Sequence, residues 1–302
     1  MSDLTGTVWL DGRLHNASDV GLSLWNHSLH YGFGVFEGLR VYAHPDGPHV
    51  FRLADHVRRL YRSAEHIGLE IPFDADTVTA AHHQVLAANG ITEGYVRPIA
   101  YLGDGLAGLT DTGVPVHLAV LAWPWRPPAA QPTGISLTVS PIRKPSGEAF
   151  PLQAKATGSY LASKIAFLRA RRLGFDDAVL LDAQGMISET TAQNLFAVID
   201  GRLVTPPAES CLPGITRATV IELARHAGIA VTAEELPPGR LGDADEVFLT
   251  STAGEVRPVG RIDDHVLGDE GRPGPVTRLL ATAYRELVTG SHARPTEEPI
   301  HV

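Results

Sequence analysis

Apolar residues along this chain recur with two different periods, and the alternation between them predicts its elements. Leu53, Val57, Leu60, Ala64 and Ile67 fall three and four apart, the spacing of one helix face. Residues 74–89 read as a second helix that opens on Asp74 and stops at Gly90, since glycine readily takes the left-handed backbone of a helix end. Residues 95–102, 116–123 and the run ISLTVSPI from 135 predict strands. Further strands are predicted in DDAVLLD, NLFAVIDGRLVTP, EVFLTS and VRPVGRI. Helices are predicted at 160–173, with Leu161, Ile165 and Leu168 on one face, at 216–226 and at 276–287. The pairs Asp11-Gly12, Asp46-Gly47 and Asp200-Gly201 lie between apolar or β-branched runs and predict tight hairpin turns, so the sheets are at least partly antiparallel.

The segment WPWRPPAAQPTG, 123–134, interrupts this pattern with four prolines, which forbid both a continuous helix and a central strand. It is expected to link two domains, a small one over 1–123 and a larger one over 135–302, with the linker at 124–134. At 302 residues two cores are the default. The fold class expected is mixed α/β. The polar, proline-containing tail SHARPTEEPIHV is expected to be loosely ordered or docked on a partner.

A formal charge of −9 with no basic stripe argues against nucleic-acid or anionic-membrane partners. The single cysteine, Cys211, excludes an intramolecular disulfide framework, and no apolar run reaches bilayer-spanning length. With no leader pattern at the N-terminus, the expected location is the cytoplasm.

Among the basic residues only three are lysines, Lys144, Lys155 and Lys164, against 22 arginines. Charge is therefore supplied by arginine, and a retained lysine is a candidate for amine chemistry, because a desolvated amine can attack a carbonyl carbon. Lys155 stands among small and apolar residues in PLQAKATGSYL. Lys164 and Arg171 fall on a helix flank, where solvation is the plainer reading. An aldehyde cofactor held by an amine also needs donors for an anionic handle, an acid opposite its ring nitrogen and room at the reacting carbon. In LPGITRATV, Ile215 and Thr216 open a predicted helix whose first N–H groups suit an anion, although a plain N-cap is the plainer reading of Thr216. Ser251-Thr252-Ala253-Gly254 offers a second small-residue turn. Glu189, in GMISETTAQNLF, has only apolar and uncharged neighbours, a costly place for a carboxylate unless a cation answers it. A protonated pyridine nitrogen is one such cation; an exposed acid near a hairpin is the alternative.

In NHSLHYGFGVFEGLRVY, glycines 32, 34 and 38 do not match the dinucleotide fingerprint, and Tyr31, Phe36 and Arg40 beside them suggest an apolar pocket with polar handles. Tyr95 and Arg97, two apart on a strand, point to one face and could bind a carboxylate. Scattered histidines, with His82 and His83 on different helix faces, give no metal-ligand pattern, and no serine-nucleophile elbow is present.

The set HYGFGVFEGLR, VRRL, YVRP, AKATGSYL, ISETTAQNLF, LPGITR and ADEVFLTST, in that order, resembles the class IV (fold-type IV) pyridoxal-phosphate aminotransferases, and within them the branched-chain amino-acid aminotransferases most. The resemblance runs from about Val8 to Gly290. It implies a fold-type IV enzyme with pyridoxal 5'-phosphate bound to Lys155, which then moves the proton between substrate α-carbon and cofactor. It implies that Tyr160 contacts the phenolate oxygen, that Glu189 contacts the pyridine nitrogen, that Leu212 packs on the ring, and that Arg59, Ile215, Thr216 and Thr252 hold the phosphate. Tyr31, Phe36, Gly38, Arg40, Tyr95, Arg97 and Ala253 would form the substrate pocket. Tyr95 and the turn at Thr252 and Ala253 would receive the α-carboxylate, and Arg97 the distal carboxylate of glutamate. The loop Ala107-Gly108-Leu109 is similar to one that enters a neighbouring subunit's site, which implies a homodimer.

Three positions depart from the resemblance: Gln193 stands where glutamate is common, Ser251 where glycine is common, and Arg126 where glycine is usual. They bear on substrate range. The activity expected is ping-pong transfer of the amino group of leucine, isoleucine or valine to 2-oxoglutarate. The alternatives are another enzyme of the same fold, such as a D-amino-acid or (R)-amine transaminase or an aminodeoxychorismate lyase, and a non-catalytic binder of small anions.

Overall fold

A computed structural model describes residues 6–44, 46–105, 108–109, 113–126 and 132–290. The tail from residue 291, Ala107 and residues 127–131 of the proline-rich segment lie outside the described residues. The chain divides into two compact units, Met1–Arg126 with Ala154–Ser159, and Pro127–Gln153 with Tyr160–Val302. The six residues around Lys155 thus belong with the first unit.

In the first unit the described strands are β1 (Thr7–Leu10), β2 (Arg13–Asn16), β3 (Gly34–Phe36), β4 (Leu39–His44), β5 (Gly47–Val50), β6 (Gly94–Leu102) and β7 (Val116–Pro124). They form one antiparallel sheet in the order β2-β1-β7-β6-β4-β5, with β3 also paired to β6. The β1–β2 turn is Asp11-Gly12 at φ 48° and 96°, the double positive φ that an Asp-Gly hairpin supplies. Helix α1 (His27–Tyr31) is short; α2 (Leu53–His66) and α3 (Ala75–Ala88) are the two helices that the apolar spacing predicts. Asp74 caps α3 by accepting from the Thr77 N–H at 2.7 Å. At the other end of α3, the Asn89 amide exchanges two 2.8 Å hydrogen bonds with the Thr7 backbone and ties the helix to β1. Val35, Leu39, Leu60, Val78, Val96 and Leu118 are fully buried.

The second unit contains β8 (Ile135–Arg143), β9 (Asp177–Leu181), β10 (Ile187–Thr190), β11 (Asn194–Ile199), β12 (Arg202–Thr205), β13 (Val231–Ala233), β14 (Glu246–Ser251), β15 (Glu255–Ile262) and β16 (His265–Val266). Its sheet is mixed, in the order β10-β9-β8-β15-β14-β11-β12-β13 with β16 on β15; the β8–β9, β8–β15 and β12–β13 pairs are parallel. Asp200-Gly201, at φ 51° and 71°, makes the β11–β12 hairpin. Leu137, Val179, Ile187, Leu195 and Leu249 are at the centre of its core. Helices α4 (Tyr160–Arg172), α5 (Ile215–His226) and α6 (Pro275–Thr289) complete it. Glu246 accepts from the Val276 and Thr277 N–H groups at 3.0 and 2.7 Å, placing an anion on the N-terminus of α6.

One helix face runs against expectation. Leu161, Ile165 and Leu168 do share a face of α4, but they are 67, 47 and 41% exposed, while Ala166 and Ala170 are the buried residues. The two alanines pack with Ala178 and Leu180 of β9, with Ile142 and Phe175 alongside. Small side chains allow the helix to lie close on the sheet, so its larger apolar residues face away. Among the described residues, no helix is long and apolar enough to cross a membrane.

Candidate active site

Lys155 is positioned by its backbone. Its N–H donates to Ser63 Oγ of α2 at 3.0 Å, and its carbonyl accepts from the Phe36 N–H of β3 at 3.1 Å. The next residues extend the seam: Ala156 bridges Val35, and Thr157 Oγ1 donates to the carbonyls of Gly32 and Gly34 at 2.6 and 3.2 Å. The amine itself lies 4.9 Å from the centroid of the Phe36 ring.

Phe36 also faces Arg97, whose guanidinium carbon is 4.7 Å from its centroid and 5.6 Å from that of Tyr95. Tyr95 in turn stands 5.2 Å from Trp123 and 6.1 Å from Trp125. In this aromatic wall the buried Arg97 Nε and Trp125 Nε1 have no hydrogen-bond partner among the described residues, so donors are available to a ligand. A Cβ on Gly38 would sit 1.9 Å from Tyr95 Oη, so only glycine admits the phenol there. Arg40 is 1% exposed, packs 4.9 Å from the Tyr42 ring and lies 3.9 Å from Glu93. Tyr31 Oη accepts from the Gly108 N–H at 2.9 Å, and Leu109 is 86% exposed.

Arg59 makes a forked pair with Glu37: Nε donates to Oε1 at 2.5 Å and Nη2 to Oε2 at 2.9 Å. His56 Nδ1 contacts the same carboxylate at 2.8 Å, and the Gly38 N–H donates to it at 3.2 Å. Burial would push the Glu37 carboxyl up, but Arg59 and His56 outweigh it and hold the group far below the usual range. Burial pushes His56 down, against the pull of Glu37. Nothing in the local sequence marks Glu37 as the partner of Arg59, apart from being an acid inside the apolar run GVFEGL.

In the second unit, Glu189 follows a register shift in β10. Its Oε1 pairs with Lys144 Nζ; its Oε2 accepts from Asn194 Nδ2 at 3.2 Å and from the Leu212 N–H at 3.4 Å. The cation that the sequence demands for this carboxylate is thus already supplied by the chain, from a residue 45 positions away. The rarity of lysine was the available signal for Lys144. Asn194 also donates to the Leu212 carbonyl at 2.9 Å, which fixes the segment leading into α5. Nearby, burial and then the charge of Glu189 push the Cys211 thiol up to about 12, so it remains an inert thiol.

Helix α5 begins one residue earlier than the apolar spacing indicates, with Gly214 as its N-cap and no side chain capping it. The N–H groups of Ile215, Thr216 and Arg217 precede the first helical hydrogen bond, from Ala218 to Gly214, and form an anion-binding end. A Cβ on Gly214 would lie 2.0 Å from Asn194 Oδ1. Arg217, 7% exposed, donates to the Pro206 carbonyl at 2.8 Å and to Thr205 Oγ1 at 3.3 Å, anchoring the helix start. Thr252 and Ala253 occupy the turn between β14 and β15, and Tyr160 opens α4.

The first unit holds an amine on a pinned backbone; the second holds an acid with an answering cation and amide, and a helix whose first amides have no side-chain cap. The family model of class IV amino-transferases matches residues 34–262. A branched-chain-amino-acid aminotransferase of Pseudomonas aeruginosa is 36% identical over 293 residues, covering 96% of this chain and 95% of the relative. The crystal structure of the Escherichia coli branched-chain amino acid aminotransferase superposes with a TM-score of 0.92 at 37% identity, covering 96% of each chain. That of the branched-chain amino acid aminotransferase from Thermobaculum terrenum in its PLP-bound holo form does so with 0.89 at 29% identity, covering 95% of each. The chain belongs to the class IV aminotransferase family.

Proposed function

We propose that the chain is a branched-chain amino-acid transaminase that uses pyridoxal 5'-phosphate, taking the amino group of leucine, isoleucine or valine and delivering it to 2-oxoglutarate. The observation that carries this reading is the pinned Lys155 whose amine lies against Phe36, in a chain that matches this kind of enzyme over nearly its whole length. The residues suit the cofactor. The end of α5, capped by a glycine that no larger residue could replace, suits a phosphate, and the half-buried Glu189 suits a protonated ring nitrogen. When bound, the cofactor supplies an electron sink for negative charge at the substrate's α-carbon.

Lys155 Nζ would hold the cofactor and would serve as the base and acid for the substrate's α-proton, a function worth about 10² to 10⁴ in rate. Glu189 would answer the ring nitrogen, Tyr160 would contact the phenolate oxygen and Leu212 would pack on the ring. Ile215 and Thr216 supply phosphate donors, as do Arg59, which Glu37 aims, and Thr252. Tyr31, Phe36, Gly38 and Arg40 shape the side-chain pocket, and Arg97 receives the distal carboxylate of glutamate; its partnerless Nε supports that role. Tyr95, Thr252 and Ala253 receive the α-carboxylate.

A homodimer is part of the proposal. Leu22, Leu24, Trp25 and Leu29 are 58 to 81% exposed, as is Leu109 at 86%, and α4 turns its leucine face outward. Apolar exposure on this scale marks a surface that another chain covers. The unpaired, buried Cys211 supports a reducing, cytoplasmic setting. The test is a coupled assay with L-leucine and 2-oxoglutarate: equal yields of the branched 2-oxo acid and glutamate are expected. Product from an (R)-amine or a D-amino acid and none from L-leucine would overturn the reading.

A further inference from the structure

Two of the three departures noted in the sequence, Gln193 and Ser251, touch each other. Ser251 Oγ donates to Gln193 Oε1 at 3.1 Å and accepts from the Gly254 N–H at 3.0 Å. Gln193 is itself held, because its carbonyl accepts from the Thr190 N–H at 2.8 Å and from the Thr190 hydroxyl at 3.3 Å. The bridge therefore links the β10–β11 corner, just beyond Glu189, to the turn that joins β14 to β15. Gly254 leaves the room it needs: a Cβ there would lie 2.7 Å from Gln193 Oε1 and 3.0 Å from Ser251 Oγ.

The hydroxyl uses up the Gly254 N–H. The Thr252 and Ala253 N–H groups have no protein acceptor among the described residues, so they are the donors this turn offers. The β14–β15 ladder closes this three-residue turn at Ser251 and Glu255, and inside it the Ser251 hydroxyl bond to Gly254 fixes the direction of the intervening amides. The acceptor at 193 is also neutral. A glutamate there would take the same hydroxyl hydrogen bond but set a full negative charge beside the amide pair, where it would oppose an incoming anion.

We infer that Gln193 and Ser251 act as one positioning unit, which aims the Thr252 and Ala253 amides at the substrate's α-carboxylate and keeps their surroundings free of negative charge. This rests on the transaminase reading above and deepens it. Neither residue touches the reacting atoms. The pair acts on carboxylate binding, and so on KM for both the amino acid and the 2-oxo acid.

The test uses the full-length chain and four variants: Ser251→Ala, Gln193→Leu, the two combined, and Gln193→Glu. Hydrogen exchange at the 252–254 amides reports the turn, and steady-state kinetics report the carboxylate. Ser251→Ala and Gln193→Leu should each speed exchange at Gly254 and raise KM for L-leucine and 2-oxoglutarate by roughly five- to tenfold, the worth of one such hydrogen bond, with little change in kcat. The double variant should be no worse than the worse single one, since both remove the same bridge. Gln193→Glu should keep slow exchange yet still raise KM, which separates aim from charge. Native exchange in the single variants, additive effects in the double, unchanged KM despite faster exchange, or a Gln193→Glu enzyme equal to the parent would each overturn the inference. Failure of the transaminase reading would show separately, as absence of transamination in the parent chain, whereas the exchange measurement does not depend on turnover.

Discussion

Each unit holds one carboxylate among close polar partners, and the two are answered in opposite ways. Glu37 is fully buried and saturated by rigid donors: a forked guanidinium, an imidazole and a backbone N–H. Glu189 retains 12% exposure and is met by the flexible ammonium of Lys144, one side-chain amide and one N–H at 3.4 Å. A planar fork costs less entropy per bond and fixes geometry, whereas a lysine on a four-carbon stem can swing. Glu37 is therefore held in a fixed fork with Arg59, whereas the partner of Glu189 sits on a longer and more mobile stem.

The largest effect should come from removing the first carboxylate. Glu37→Gln leaves Arg59 buried without its counter-charge, and chemical denaturation should show a loss of about 3 to 5 kcal/mol. A loss below about 1 kcal/mol would mean that Glu37 does not support the arginine. Glu189→Gln should reverse the balance: near-native denaturation, but turnover reduced on the order of 10² to 10³, comparable to losing one preorganised electrostatic partner. Equal damage to fold and turnover in both variants would erase the distinction.

Acid should destabilise the first unit next. His82 is buried, donates through Nδ1 to the Val78 carbonyl at 2.7 Å, and is pushed by burial down to about 4. Between 4 and the ordinary 6.5 the unfolded chain binds a proton there that the folded chain refuses, so stability is full above 6.5 and falls as pH drops towards 4. The loss attributable to His82 is on the order of 3 kcal/mol, and His56, shifted the same way, adds to it. Thermal melts of a His82→Leu variant should flatten over that window; an unchanged slope would count against the assignment. A stability loss smaller than that of Glu37→Gln is expected for Lys144→Met, about 1.5 to 3 kcal/mol, because it strands the Glu189 carboxylate, whereas Glu189→Gln leaves a lysine that can swing into solvent. A change as large as that of Glu37→Gln would show that Glu189 is as rigidly held as Glu37.

Local chemistry made much of the fold readable. Asp-Gly pairs carry the backbone of their own hairpins, and Asp74 and Gly90 mark the ends of α3, so short windows of sequence suffice there. The face of α4 was not readable in this way, because two alanines outcompete three larger residues only when the neighbouring sheet is known. At the candidate site the lysine, the arginine, the acid and the turn residues could be picked out as residue types. Their partners could not: Glu37 lies 22 positions from Arg59, Lys144 45 from Glu189, and Gln193 58 from Ser251, and only the chain's long-range pairing brings each couple together. Gly38 follows the same rule, since its need for glycine is set by Tyr95 on a different strand.

The central claim is that Lys155, and not the Glu189-bound Lys144 or the surface Lys164, is the working amine. Borohydride reduction of the cofactor-loaded protein, followed by peptide mass mapping, decides it. A single phosphopyridoxyl adduct on Lys155, absent from a Lys155→Arg variant that also loses turnover, is the predicted result. An adduct on Lys144 or Lys164, or full activity in the arginine variant, would contradict it.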